Sequence, residues 1–102
     1  LIMQVFGGVY ADLDFEALRD ISSLLANKAL LFGQEPFAHV HAVYKIPRMV
    51  CNAFIASTPN HPFWNIMFSE LRLRANNSDV QGISATGPRA LEAAVVTYEQ
   101  QQ

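Results

Sequence analysis

The run Phe6-Gly7-Gly8-Val9-Tyr10-Ala11-Asp12-Leu13-Asp14 sets two carboxylates one residue apart, directly after an apolar segment and a double glycine. In an extended strand, side chains at i and i+2 point the same way, so Asp12 and Asp14 are expected on one side at the strand's C-terminal end. Like charges so close repel, and a divalent cation relieves the repulsion. Hard oxygen ligands with open positions suit manganese or magnesium shared with a diphosphate. Ligands of open α/β sheets also bind outside the carboxyl ends of strands. A plainer reading competes: Asp14 precedes Phe15 and can be a helix N-cap, with Asp12 solvated at a loop edge.

Other polar residues supply further candidates. His39 and His41 stand two apart and could add a metal ligand or touch an acceptor, or be surface residues. Glu35 is a candidate base or acceptor contact, or a solvated loop residue. Asn52 interrupts an apolar strand, where a buried amide must find partners in a hydroxyl or the backbone. Thr86-Gly87-Pro88 reads as a helix cap. Arg89 could reach a phosphate or pair with Glu92 at i+3. The lone Cys51, between Val50 and Ala53-Phe54, reads as a small buried residue and excludes an internal disulfide.

The elements that must position these groups follow from periodicity. Residues 1–6 read as the tail of an apolar helix stopped by Gly7-Gly8, and residues 9–13 as a short strand. Over 15–26, Leu18, Ile21, Leu24 and Leu25 have the spacing of an amphipathic helix. Residues 28–34 and 49–56 are of strand length, while 35–47, with two prolines, is expected to be an irregular loop. The Thr58-Pro59-Asn60-His61-Pro62 cluster is a turn, and a helical stripe runs from Phe63 through Met67 and Leu71 to about Asn76-Asn77. A loop then leads to Thr86. The last helix is the clearest, capped by Thr86 with Pro88 in its first turn and Leu91, Ala94, Val95 and Tyr98 on one face. Alternating strands and helices argue for an α/β fold with a mostly parallel or mixed sheet flanked by helices. Three strands are few for such a sheet, so more are expected upstream.

The chain's 102 residues suffice for one domain, and 51% apolar with 16% charged residues favours a buried core over disorder. A net charge of -2 offers no basic field for nucleic acid. The uncharged stretch 49–69 is long enough to cross a bilayer, but Asn52, Asn60, His61, Pro59 and Pro62 break it. The chain begins on an apolar, uncharged run at Leu1, which suggests a cut through a larger protein.

The segment Gly7-Gly8-Val9-Tyr10-Ala11-Asp12-Leu13-Asp14, followed by Leu18-Arg19, resembles the Asp-x-Asp sugar-binding region of glycosyltransferase family 32. That family includes initiation-specific alpha-1,6-mannosyltransferases and inositol-phosphoceramide mannosyltransferases. The resemblance extends through Asn52-Ala53-Phe54-Ile55-Ala56-Ser57 and His61-Pro62-Phe63-Trp64 to Thr86-Gly87-Pro88, with Phe6 where such proteins often carry Tyr. It implies that residues 1–102 are part of a catalytic domain of GT-A (Rossmann-like) fold, whose upstream helix and nucleoside-binding strand would precede Leu1. It further implies a nucleotide-sugar donor, a glycan or glycolipid acceptor, and a divalent cation, manganese or magnesium, held by Asp12 and Asp14. Gly7, Gly8, Tyr10, Asp12, Asp14 and Asn52 would be donor-binding; Gly7 and Gly8 would let the backbone turn and approach the donor, and Tyr10 would pack beside it or serve as a strand residue. The transferred hexose would be mannose or galactose. For a eukaryotic parent protein, the resemblance implies a membrane anchor outside this segment and the lumen of the Golgi or another endomembrane compartment. Two other classes remain: a haloacid-dehalogenase-like phosphatase, whose motif wants Thr or Val where Glu16 stands, and a non-enzymatic interaction domain.

Overall fold

The computed structural model describes residues 1–77 and 86–102. The elements are α1 (Ile2–Phe6), β1 (Gly8–Ala11), α2 (Ser22–Leu25), β2 (Leu30–Gln34), α3 (Phe37–Tyr44), β3 (Val50–Ser57), α4 (Phe63–Ala75) and α5 (Pro88–Gln100). The loop expected between Asn77 and Thr86 lies mostly outside the described residues.

The strands form one sheet in the order β1-β3-β2, with β3 antiparallel to both neighbours. The expected mostly parallel or mixed sheet is therefore corrected to an antiparallel one. A parallel pair requires a crossover helix laid across the sheet. Here the intervening α3 instead meets α5, where the Arg89 guanidinium lies 5.2 Å from the centre of the Tyr44 ring, and β3 returns between the two edge strands.

Strand alternation divides the sheet. Leu30 and Phe32 lie two apart on β2, and Phe32 stands opposite Ile55. These three side chains share a face and pack on the core built by Val50, Phe63, Trp64, Met67, Ala90, Leu91, Ala94 and Val95. Phe63 is fully enclosed, meeting Phe32 and Tyr98 edge to face at 5.1 and 5.9 Å. The Trp64 indole N–H donates to Ser57 Oγ at 2.9 Å, satisfying a buried donor and tying α4 to the end of β3.

Three local expectations are corrected. The helix expected over 15–26 shrinks to Ser22–Leu25. Phe15 stacks on Phe54 at 6.0 Å, so the chain is drawn over the sheet before it can coil. Asp20 Oδ1 accepts from both the backbone N–H and the hydroxyl of Ser22, starting the helix there and holding the Asp20 carboxyl below its ordinary range. The loop expected over 35–47 contains α3, because its two prolines bracket the helix: Pro36 is the N-cap and Pro47 lies beyond Lys45, the left-handed C-cap. Finally, α5 is capped by Gly87, with no side-chain cap bond, so Thr86 does not act as its cap.

Candidate functional site

Tyr10 stands opposite Ile55 and therefore lies on the core-bearing face of the sheet, but at an edge that the helices leave open. Two residues on, the Asp12 backbone N–H still donates to Ala53 at 2.9 Å, so Asp12 keeps the ladder register and the same face as Tyr10. The Tyr10 hydroxyl donates to Asp12 Oδ1 at 2.7 Å. That bond, and the negative charge behind it, raise the Tyr10 phenol above its ordinary value. Asp12 is half-buried.

Strand geometry stops there. The Asp12 carbonyl accepts from Phe15 N–H at 3.1 Å, closing a turn that contains Leu13 and Asp14. The strand expected over 9–13 thus ends at Ala11, and the two carboxylates are not related by strand alternation as expected. Asp12 is anchored on the sheet, while Asp14 is exposed on the turn.

The glycine pair divides its labour. Gly7 has φ +64°, and a Cβ there would come within 2.6 Å of Ser57 O and 2.7 Å of Pro59 N. The close approach at Gly7 is thus to the chain's own backbone, where α1 ends against the β3–α4 turn. A bond from Asn60 N–H to Gln4 O reinforces the junction. Gly8 has φ +100° and open space where a Cβ would be, so backbone conformation, not crowding, selects glycine there.

Beside Tyr10 opens a groove of about 520 Å³, whose lining includes Met3, Tyr10, Asn52, Trp64, Thr86 and Gly87. Asn52 is exposed, so its amide is not the buried group expected from the apolar strand around it. The cause is an irregularity in β3: between Ile55, opposite Phe32, and Cys51, opposite Gly33, the three residues Asn52, Ala53 and Phe54 have no counterpart on β2.

The remaining candidates gather elsewhere. His39 pairs with Glu35 at 3.4 Å, and His41 stacks on Phe37 at 5.5 Å; both histidines sit on α3 and neither lines the groove. Cys51 is half-buried, with Ala53 N–H donating to Sγ at 3.4 Å. Burial pushes the thiol up, and the negative charges of Glu35 and Asp12 push it the same way. Arg89 does not pair with Glu92. It lies over Tyr44, and Glu92 instead binds Arg48 at 3.3 Å and the Val50 N–H at 2.6 Å. Among the described residues, no group of three or more His, Cys, Asp or Glu could hold a metal ion, and no helix is long and apolar enough to cross a membrane.

With this geometry in place, comparison with known proteins adds one relationship. The chain is 24% identical over 97 residues to an uncharacterized glycosyltransferase of Acanthamoeba polyphaga mimivirus, an alignment covering 95% of this chain and 36% of the relative. The chain thus spans about a third of that protein's length. No family model and no solved structure matches.

Proposed function

We propose that this chain is part of a glycosyltransferase catalytic domain of the GT-A kind. It would take part in moving a hexose, mannose or galactose, from a nucleotide-sugar donor to a glycan or glycolipid acceptor. The observation that carries the reading is the line of Gly8, Tyr10 and Asp12 along one face of an edge strand beside an open groove, with Asp14 on the adjoining turn. Similarity to a glycosyltransferase supports the reaction class.

The donor set suits a hard divalent cation, manganese or magnesium: Asp12 keeps Oδ2 outside its bond to Tyr10, and Asp14 is exposed. These two residues would hold the ion. When bound, it would neutralise the charge growing on the departing nucleoside diphosphate. Gly8 leaves room for a ligand against the backbone. Asn52 offers both a donor and an acceptor to a sugar hydroxyl from the groove wall. The free edge of β1 is where further strands of a GT-A sheet would pair. A membrane anchor in the parent protein and an endomembrane lumen belong to the same proposal.

Trp64, the single tryptophan, lines the groove and serves as reporter. The full chain should show a manganese-dependent change in Trp64 fluorescence with a UDP- or GDP-hexose, and Asp12→Ala and Asp14→Ala should each abolish it. Donor binding that ignores both substitutions would sink the site. Turnover of a phosphomonoester through an aspartyl phosphate would favour the phosphatase reading instead.

A further inference from the structure

The two acids of the motif are held very differently. Asp12 is fixed at three points: its backbone N–H on Ala53, its carbonyl on Phe15 N–H, and Oδ1 on the Tyr10 hydroxyl. Asp14 makes no hydrogen bond or ion pair among the described residues. A carboxylate without a partner samples several rotamers and must be ordered when it binds, whereas one already held loses less freedom. Strand alternation sets Tyr10 and Asp12 on one face, and the phenol is long enough to cover the gap between them.

We propose that Tyr10 is a positioning residue that acts through Asp12, its hydroxyl locking the carboxylate in one rotamer so that Oδ2 alone is offered to a divalent cation. Asp14 is then the adaptable ligand, ordered only when the cation arrives. The proposal rests on the reading of Asp12 as a cation ligand. It differs from ring packing against a donor, because it assigns the effect to the hydroxyl and requires no donor to be present.

The experiment uses the full chain, isotope-labelled, and manganese chloride as the probe. In the metal-free protein, the three-bond couplings of Asp12 should report one χ1 rotamer, and in Tyr10→Phe they should average. Paramagnetic broadening of the amide signals of residues 12–15 should need roughly three- to tenfold more manganese in Tyr10→Phe, the scale of one ordinary net hydrogen bond at an exposed position. The unfolding midpoint should stay unchanged. In an Asp12→Ala background, Tyr10→Phe should have no further effect on the broadening. Averaged couplings in the unsubstituted chain, or equal manganese requirement in Tyr10→Phe, overturns the positioning role. Fixed couplings with no broadening at residues 12–15 would instead show that the cation reading has failed, taking this inference with it.

Discussion

Residues 1–29 and the chain from Leu30 onward obey different physics. None of the first 29 residues is buried: Leu18 is 85% exposed, and Met3 packs against the core while only partly covered. Beyond them, Val40, Met49 and Phe63 are sealed from solvent, and α4 and α5 close over one face of β3. The motif belongs to the first region. It is held to the second by the rungs between β1 and β3, by the Asn60-to-Gln4 bond and by the fit of Gly7 against the Ser57–Pro59 backbone. The candidate site and the core are therefore separable here: the core packs against β3, and β3 supplies the register in which Tyr10 and Asp12 stand.

The sharpest way to break that comparison is to remove similar side chains from the two regions. Phe63→Ala empties a fully enclosed site and should cost about 3–5 kcal/mol in chemical denaturation, enough to unfold a marginal domain. Leu18→Ala should stay within about 0.5 kcal/mol of the unsubstituted chain. A comparable loss at both positions would show that Leu18 shares the core after all.

The glycine pair tests the seam between the regions with smaller effects. Gly7→Ala drives a methyl into the Ser57 carbonyl and Pro59 and adds strain at positive φ, so it should cost more than about 2 kcal/mol. Gly8→Ala meets open space and carries only the conformational penalty, about 1–2 kcal/mol. Equal costs would mean that the close approach at Gly7 does not bind the regions together.

What could be read in advance divides along the same line. Strands at 28–34 and 49–56 and the α5 face built on Leu91, Ala94 and Val95 were legible, because a buried surface imposes its period on the sequence. The period over 15–26 misleads, since Leu18 stays exposed, Ile21 and Leu24 are only partly covered, and Asp20 bonds Ser22 at a later start. At α3, the prolines bracket the helix instead of breaking it, and the i,i+4 pairs Glu35/His39 and Phe37/His41 are the signal that the sequence carries for it. Strand direction and the exposure of Asn52 depend on which strands meet, and no local pattern encodes that. In the motif, the types of Tyr10, Asp12 and Asp14 were visible, but the turn that separates the two acids was not.

The smallest expected effect falls at the turn joining β3 to α4. His61 Nδ1 accepts the Phe63 N–H at 3.3 Å, and its ring rests 5.7 Å from Tyr98. Burial holds the imidazole below its ordinary value of 6.5, so the folded chain favours the neutral ring more than the unfolded chain does. The stabilisation is complete above 6.5 and is lost as the pH falls from there through the lower folded value. A proton on Nδ1 would remove the acceptor for Phe63 and place a positive charge at the start of α4, where the helix dipole opposes it. The thermal midpoint should accordingly drop between about pH 7.5 and about pH 5.5, a window that brackets an ordinary histidine. His61→Asn keeps an oxygen acceptor but cannot titrate, so the drop should shrink. Because this titration acts on α4, the couplings of Asp12 should not change with it. A shift at Asp12 that tracks His61 would show that the core and the motif-bearing region respond as one unit.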